Sequence, residues 1–188
     1  MIIITHTHAE KKDLKISQQY YKMAAQSKIS EVRFNDFYGL WARSDGYVSK
    51  DNIHWTKGEL LLTGKNKKKI YRRLYYWNNI KDVLIHRVIA DTFCENPNPS
   101  KFKVVDHIDG NGDNNAVWNL RFVNTSLNNL ASTSRNVRKK YGRFWGQIQC
   151  DGEMYYTKSV NNPTDAYMAA QDLKSKLFTE LYKSYITN

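Results

Sequence analysis

A chain of 188 residues holds one ordinary domain, or one small domain with an appendage. Hydrophobic residues make up 41%, enough for a modest core, and 29 Lys and Arg against 18 Asp and Glu leave a net charge of +11. That charge points to a polyanionic partner, nucleic acid ahead of an anionic membrane. No apolar run is long enough to cross a membrane, and the first residues, MIIITH, lack a basic start and a long apolar stretch, so a cytoplasmic protein that is not secreted is expected. Cys94 and Cys150 lie far apart, outside any CxxC spacing, and read as free thiols in a reducing compartment rather than as a disulfide or zinc pair.

In chain order, residues 1–30 read as an N-terminal extension in which 13–28 can form a loosely periodic helix. Residues 31–83 read as a small β-rich region: Ser44-Asp45-Gly46 and Thr63-Gly64-Lys65-Asn66 are turn chemistry, while Leu60 to Leu62 and Tyr71 to Trp77 are strand-like. Val83 to Phe93 follows as a helix on two adjacent apolar stripes, stopped by Pro97 and Pro99. Residues 104–123, VVDHIDGNGDNNAVWNLRFV, predict strand, loop and strand, and Asn124 to Ser132 a short helix capped by Asn124 or Thr125. Residues 133–140 look like a basic linker. Phe144 to Cys150 alternates as a strand, Asp151-Gly152 is a hairpin turn, and Tyr155 to Thr157 is a second strand, with Ser159 to Asn161 a candidate third. Asn162-Pro163-Thr164-Asp165 then opens a helix, with Ala166, Ala170, Leu173, Leu177 and Leu181 on one face.

Asp106 and His107 stand together where a strand meets a loop rich in Asn, Asp and Gly. A carboxylate is a hard ligand suited to Mg²⁺ or Mn²⁺, and a neutral imidazole can take a proton from water near neutral pH. Together they match the demands of phosphodiester hydrolysis, in which an ion steadies charge and a base activates water. Turn chemistry alone would explain an isolated Asp-His beside Gly-Asn. It accounts less well for Asn119 and Asn128 at fitting distances and for Ile85-His86-Arg87-Val88-Ile89-Ala90 upstream. His86 reads as a helix residue bracing the core or touching a phosphate, and His6, His8 and His54 as solvated.

Val105-Asp106-His107-Ile108-Asp109-Gly110-Asn111, Asn114-Asn115, Asn119-Leu120-Arg121 and Asn128-Asn129 resemble the HNH endonucleases of phage and intron homing type. The likeness covers about residues 84–130 and extends weakly to Trp41–Ser49. It implies an α+β chain with a ββα-metal (His-Me finger) nuclease core at 84–132. By the same resemblance His107 matches the general base and Asn119 the residue that fixes the loop and orients it. Asp106 and Asn128 match ligands of one divalent ion. An amide oxygen at Asn128, where many relatives carry His, favours Mg²⁺ or Mn²⁺ over Zn²⁺.

Residues 141–188, with Trp145-Gly146-Gln147-Ile148, an aromatic hairpin and an Ala-rich helix, resemble an AP2-like DNA-binding module of three strands and a helix. The Gly usual after its second strand is replaced here by Lys158-Ser159. Such a module lays its sheet in the major groove of DNA. Lys65, Lys67, Lys68, Lys69, Arg72 and Arg73 form the densest basic run, and Arg138, Lys139, Lys140 and Arg143 a second, so both are candidate phosphate contacts. The expected function is a metal-dependent endonuclease of the HNH type acting on double-stranded DNA as a monomer or homodimer. The alternatives are a DNA-binding regulator with a degenerate nuclease core, and an RNA-directed protein.

Overall fold

The computed structural model describes residues 30–64, 69–75, 77, 79, 81–132 and 136–187. The helix expected within 13–28, together with Lys65, Lys67 and Lys68, lies outside the described residues. Short strands open the described chain because polar turn residues interrupt the apolar pattern every few positions. The strands β1 (Val32–Asn35), β2 (Leu40–Arg43), β3 (Tyr47–Ser49) and β4 (Trp55–Thr56) form an antiparallel meander in that order. A second antiparallel sheet holds β5 (Glu59–Thr63), β6 (Lys69–Leu74) and β7 (Val83–Leu84). Val83 and Leu84 therefore pair with Leu74 and Arg73 as a strand, and the helix expected from Val83 begins two residues later. That helix, α1 (Ile85–Phe93), buries Ile85, Val88, Ile89 and Ala90 on one face.

A strand–loop–strand–helix unit follows. β8 (Val104–His107) pairs antiparallel with β9 (Leu120–Val123), and α2 (Thr125–Ala131) packs against β8. Asn124 caps α2, its Oδ1 accepting the Leu127 amide at 2.8 Å, so the capping residue is the first of the two expected. Leu127 and Leu130 pin the helix to the core.

The last sheet contains β10 (Val137–Lys140), β11 (Arg143–Cys150) and β12 (Glu153–Tyr156). Val137–Lys140 of the stretch expected to be a linker is thus an edge strand, joined to β11 by Tyr141-Gly142 with φ of 49° and 72°, while 133–135 lie outside the described residues. Val160 makes a single bridge to Phe144, so 159–161 is not the third strand. Asp151-Gly152 forms the expected two-residue turn. The helix α3 (Pro163–Thr187) crosses this sheet, with Asn162 Oδ1 accepting the Thr164 amide at 2.8 Å. Gly146 makes the close crossing possible, since a Cβ there would lie 2.8 Å from both the Ala170 Cβ and the Thr157 methyl.

The helix runs past the residues expected and reaches the earlier elements. Tyr182 stacks on the fully buried Phe102 ring at 5.3 Å, Tyr185 meets the same ring edge-on at 5.8 Å, and Asn98 donates its amide to the Tyr185 carbonyl at 2.7 Å. One apolar cluster consequently joins Leu40 and Val48, Ile85 to Ile89, Phe102, Phe122, Leu127, Ile148 and Leu177. Gly146→Val should force α3 off β11 and cost about 1–3 kcal/mol of unfolding free energy, measurable by urea titration. Wild-type stability in that variant would contradict the close crossing.

Candidate active site

The loop of residues 108–119 must return the chain from β8 to β9 while burying several of its own polar groups. Asparagine suits this task, since its side chain both accepts and donates. Asn119 Oδ1 accepts the Asp109 amide at 3.0 Å, while its Nδ2 donates to Asp109 Oδ1 at 2.9 Å and to the Asn114 carbonyl at 2.8 Å. Asp109 also receives the Asn111 amide and the Asn114 side chain, both at 2.8 Å. Burial alone would raise the Asp109 carboxyl, but its donors Asn114, Asn111 and Asn119 and the nearby His107 outweigh it and hold the group below its ordinary range.

Two neighbours clamp this loop. On one side the β2–β3 turn docks through Gly46, where φ is +95° and a Cβ would sit 2.8 Å from the Asn115 carbonyl carbon, and the Val117 amide donates to the Ser44 carbonyl at 2.8 Å. On the other side Gly112 lies so close to β6 that a Cβ would be 1.8 Å from the Ile70 carbonyl oxygen. Arg72 there forms an ion pair with Asp113, which holds that carboxyl down.

The product of this clamping is the placement of Asn115, itself 3% exposed. Its Oδ1 stands 2.9 Å from Nε2 of the buried His107. An amide oxygen only accepts, so with the amide so oriented Nε2 carries the proton and Nδ1 keeps its lone pair. Asn119 bonds within the loop, and Asn115 is the residue that bonds the histidine.

Asp106 is also buried, and its register partner across the sheet is Arg121. Arg121 donates Nε at 2.9 Å and Nη2 at 2.7 Å, both to Asp106 Oδ2. The same guanidinium lies 4.0 Å over the Phe178 ring of α3. Oδ1 of Asp106 stands outside that pair. Asn128 sits half-buried on α2. Among the described residues no three His, Cys, Asp or Glu side chains converge as a metal site. The carboxylate oxygen of Asp106 and the amide oxygen of Asn128 are each hard donors of the kind that suits an ion retaining waters, such as Mg²⁺ or Mn²⁺.

The basic candidates divide. Arg72 and Arg73 on β6 are tied to Asp113 and Asp82, while Lys69 is exposed. On β10, Lys139 and Lys140 are exposed and lie over the Phe144 and Tyr141 rings. Arg138 bonds Gln147, and Arg143 bonds Asn161 and Ser159. No helix among the described residues is long and apolar enough to cross a membrane, and Cys94 and Cys150 are free thiols.

Over 107 residues the chain is 34% identical to an uncharacterized HNH endonuclease of Acanthamoeba polyphaga mimivirus. The likeness is to a protein named as an HNH nuclease. It covers 53% of this chain and 32% of the relative, so the chain spans about a third of that protein's length. No protein-family model matches the chain, and no solved structure matches it. The mixed α and β architecture with small antiparallel sheets is compatible with an HNH-type fold.

Asn119→Ala should remove three hydrogen bonds from a buried loop and cost about 1–3 kcal/mol in urea titration. The folded Asp109 carboxyl is held below its unfolded value, so its contribution is present above about pH 4 and is lost as pH falls through the folded value. The difference between wild type and variant should therefore shrink in acid. A pH-independent difference would sink this account of Asn119.

Proposed function

We propose that this protein is a metal-dependent DNA endonuclease of the HNH homing type, using residues 104–131 as a ββα-metal unit. The observation that carries the reading is His107 held at Nε2 by Asn115, with Nδ1 left as a proton acceptor, directly beside Asp106 at the end of β8. In this reading Nδ1 of His107 takes a proton from water as the water oxygen bonds to phosphorus. The bond from phosphorus to the leaving oxygen breaks in the same displacement. Asp106 Oδ1 and the Asn128 amide oxygen would hold one Mg²⁺ or Mn²⁺. Such an ion, when bound, neutralises charge on the phosphate and the leaving oxygen. Arg121 fixes the rotation of the Asp106 carboxylate, and Asn119 keeps the loop closed behind His107.

DNA is the substrate class that the charge and the likeness support together. In this reading β10 to β12, with α3 laid across them, serve as the AP2-like DNA-binding module. Exposed Lys139 and Lys140 on its edge strand are suited to phosphate contact, as is Lys69 on β6. The DNA-binding regulator with a degenerate core is the competing reading.

Plasmid nicking in Mg²⁺ and in EDTA separates the two. His107→Ala should lower the cleavage rate by roughly 10² to 10⁴ while a gel shift shows nearly unchanged affinity. Asp106→Ala should abolish Mn²⁺ binding in calorimetry. Wild-type cleavage by the first variant, or wild-type Mn²⁺ affinity in the second, would remove that residue from the mechanism.

A further inference from the structure

Among the described residues the His107 ring, the base of the proposed reaction, has a single hydrogen bond, to Asn115, and one bond does not hold a ring. Rotation about the bond from Cβ to an imidazole is broad, and a turned ring would offer the wrong nitrogen to water. Something else must confine it. The groups placed to do so are rings. His86, the second residue of α1, is 5% exposed, and its ring centroid lies 5.2 Å from that of His107 with the planes at 74°. Tyr71 of β6 closes the remaining side, 5.4 Å from His86 and 6.2 Å from His107. Three rings from three elements thus form one cluster.

His86 is costly to keep there. Its Nδ1 is buried with no hydrogen-bond partner among the described residues, a standing penalty for any polar atom. Burial first, then the charges of His107 and Arg87, push its imidazole down to about 3. It is therefore neutral wherever His107 can act as a base, and neither donates a proton nor lends a charge. What it supplies is a flat, rigid wall anchored by Ile85, Val88 and Ile89 on the same helix.

We propose that His86 is a positioning residue for the cutting reaction: its ring, with Tyr71, confines the His107 imidazole so that Nε2 stays on Asn115 and Nδ1 remains the proton acceptor. This rests on reading His107 as the base, and it assigns a function to a histidine otherwise read as core.

The test uses the full chain and two kinds of change. His86→Phe keeps a ring and removes the orphaned nitrogen. His86→Leu removes the wall, and Tyr71→Leu opens the same cluster from its other side should the first leucine variant fail to fold. Nitrogen-15 NMR of the imidazoles, without metal or DNA and assigned by comparison with His107→Ala, reports which nitrogen of His107 carries the proton. Wild type and His86→Phe should show one Nε2–H form, and a leucine variant a mixture. Single-turnover cleavage of a saturating duplex should fall about 10- to 100-fold in a leucine variant, with unchanged DNA affinity, and stay within about threefold of wild type in His86→Phe. His86→Phe should also melt higher. A folded leucine variant that retains a single tautomer, or a Phe variant as impaired as leucine, overturns the assignment. If wild type does not cut at all, the nuclease reading falls while the NMR comparison still decides the role of His86.

Discussion

The hydrogen bond between His107 and Asn115 is the contact on which the rest of the site depends. It selects which imidazole nitrogen is basic, and it forms only if the loop that separates the two residues, eight positions apart, is held in one conformation. The chain holds it with polar contacts rather than apolar packing. Asp109 and Asn119 knot the loop from within, and Gly46 and Gly112 let two hairpins press on it from outside. At both glycines the approach leaves no room for a side chain, so the clamp is a backbone-to-backbone fit. A loop with many buried amides and few apolar residues is expensive to order, and its internal hydrogen bonds offset the loss.

The C-terminal helix belongs to the same argument. A strand, hairpin and helix after residue 136 have the look of a separable module, yet α3 continues to Thr187 and spreads Phe178, Tyr182 and Tyr185 over earlier elements. Arg121 stands between Phe178 and Asp106, so the carboxylate's orientation depends on a guanidinium seated on the last helix. Cutting the chain near residue 133 would uncover Phe102 and take away the ring beneath Arg121. The segment packs as a wall against the strand–loop–strand–helix unit and also carries a basic edge.

Much of this was legible in the sequence where local chemistry decides. The Asp151-Gly152 turn, the Asn124 and Asn162 caps and the strand ending in Asp106-His107 all follow from residue type and spacing, while the loop role of Asn119 was implied only by the family resemblance. What was not legible depended on pairing across distance. Arg121 meets Asp106 only through the β8–β9 register, which cannot be counted without the path of the loop. Asn115 is one of three asparagines between Asp109 and Asn119, and nothing local says that it is the one that bonds His107. Val137-Arg-Lys-Lys lacks the alternation of a half-buried strand because it is an exposed edge, where charge discourages pairing with other chains. The long end of α3 did leave a signal, since Phe178, Tyr182 and Tyr185 follow helical spacing, but its partner Phe102 lies far away in sequence.

The same structure reshapes the electrostatic argument that began with composition. A net charge of +11 treats every Lys and Arg alike. In the fold, Arg72 and Arg73 sit against Asp113 and Asp82, and Arg121 against Asp106, so three of the cations serve to hold loops and a carboxylate. A cation already paired with a carboxylate releases few counterions when a phosphate approaches, whereas a lysine resting on an aromatic face keeps its full charge. Lys139 and Lys140 are of the second kind, and Lys69 is exposed beside them in character though on another sheet. On the proposed reading the surface open to a polyanion is therefore narrower than the basic runs of the sequence imply, with Lys139 and Lys140 on an edge strand and Lys69 on the central strand of another sheet. Under the proposed function, arginine builds the site and lysine is left to meet the DNA.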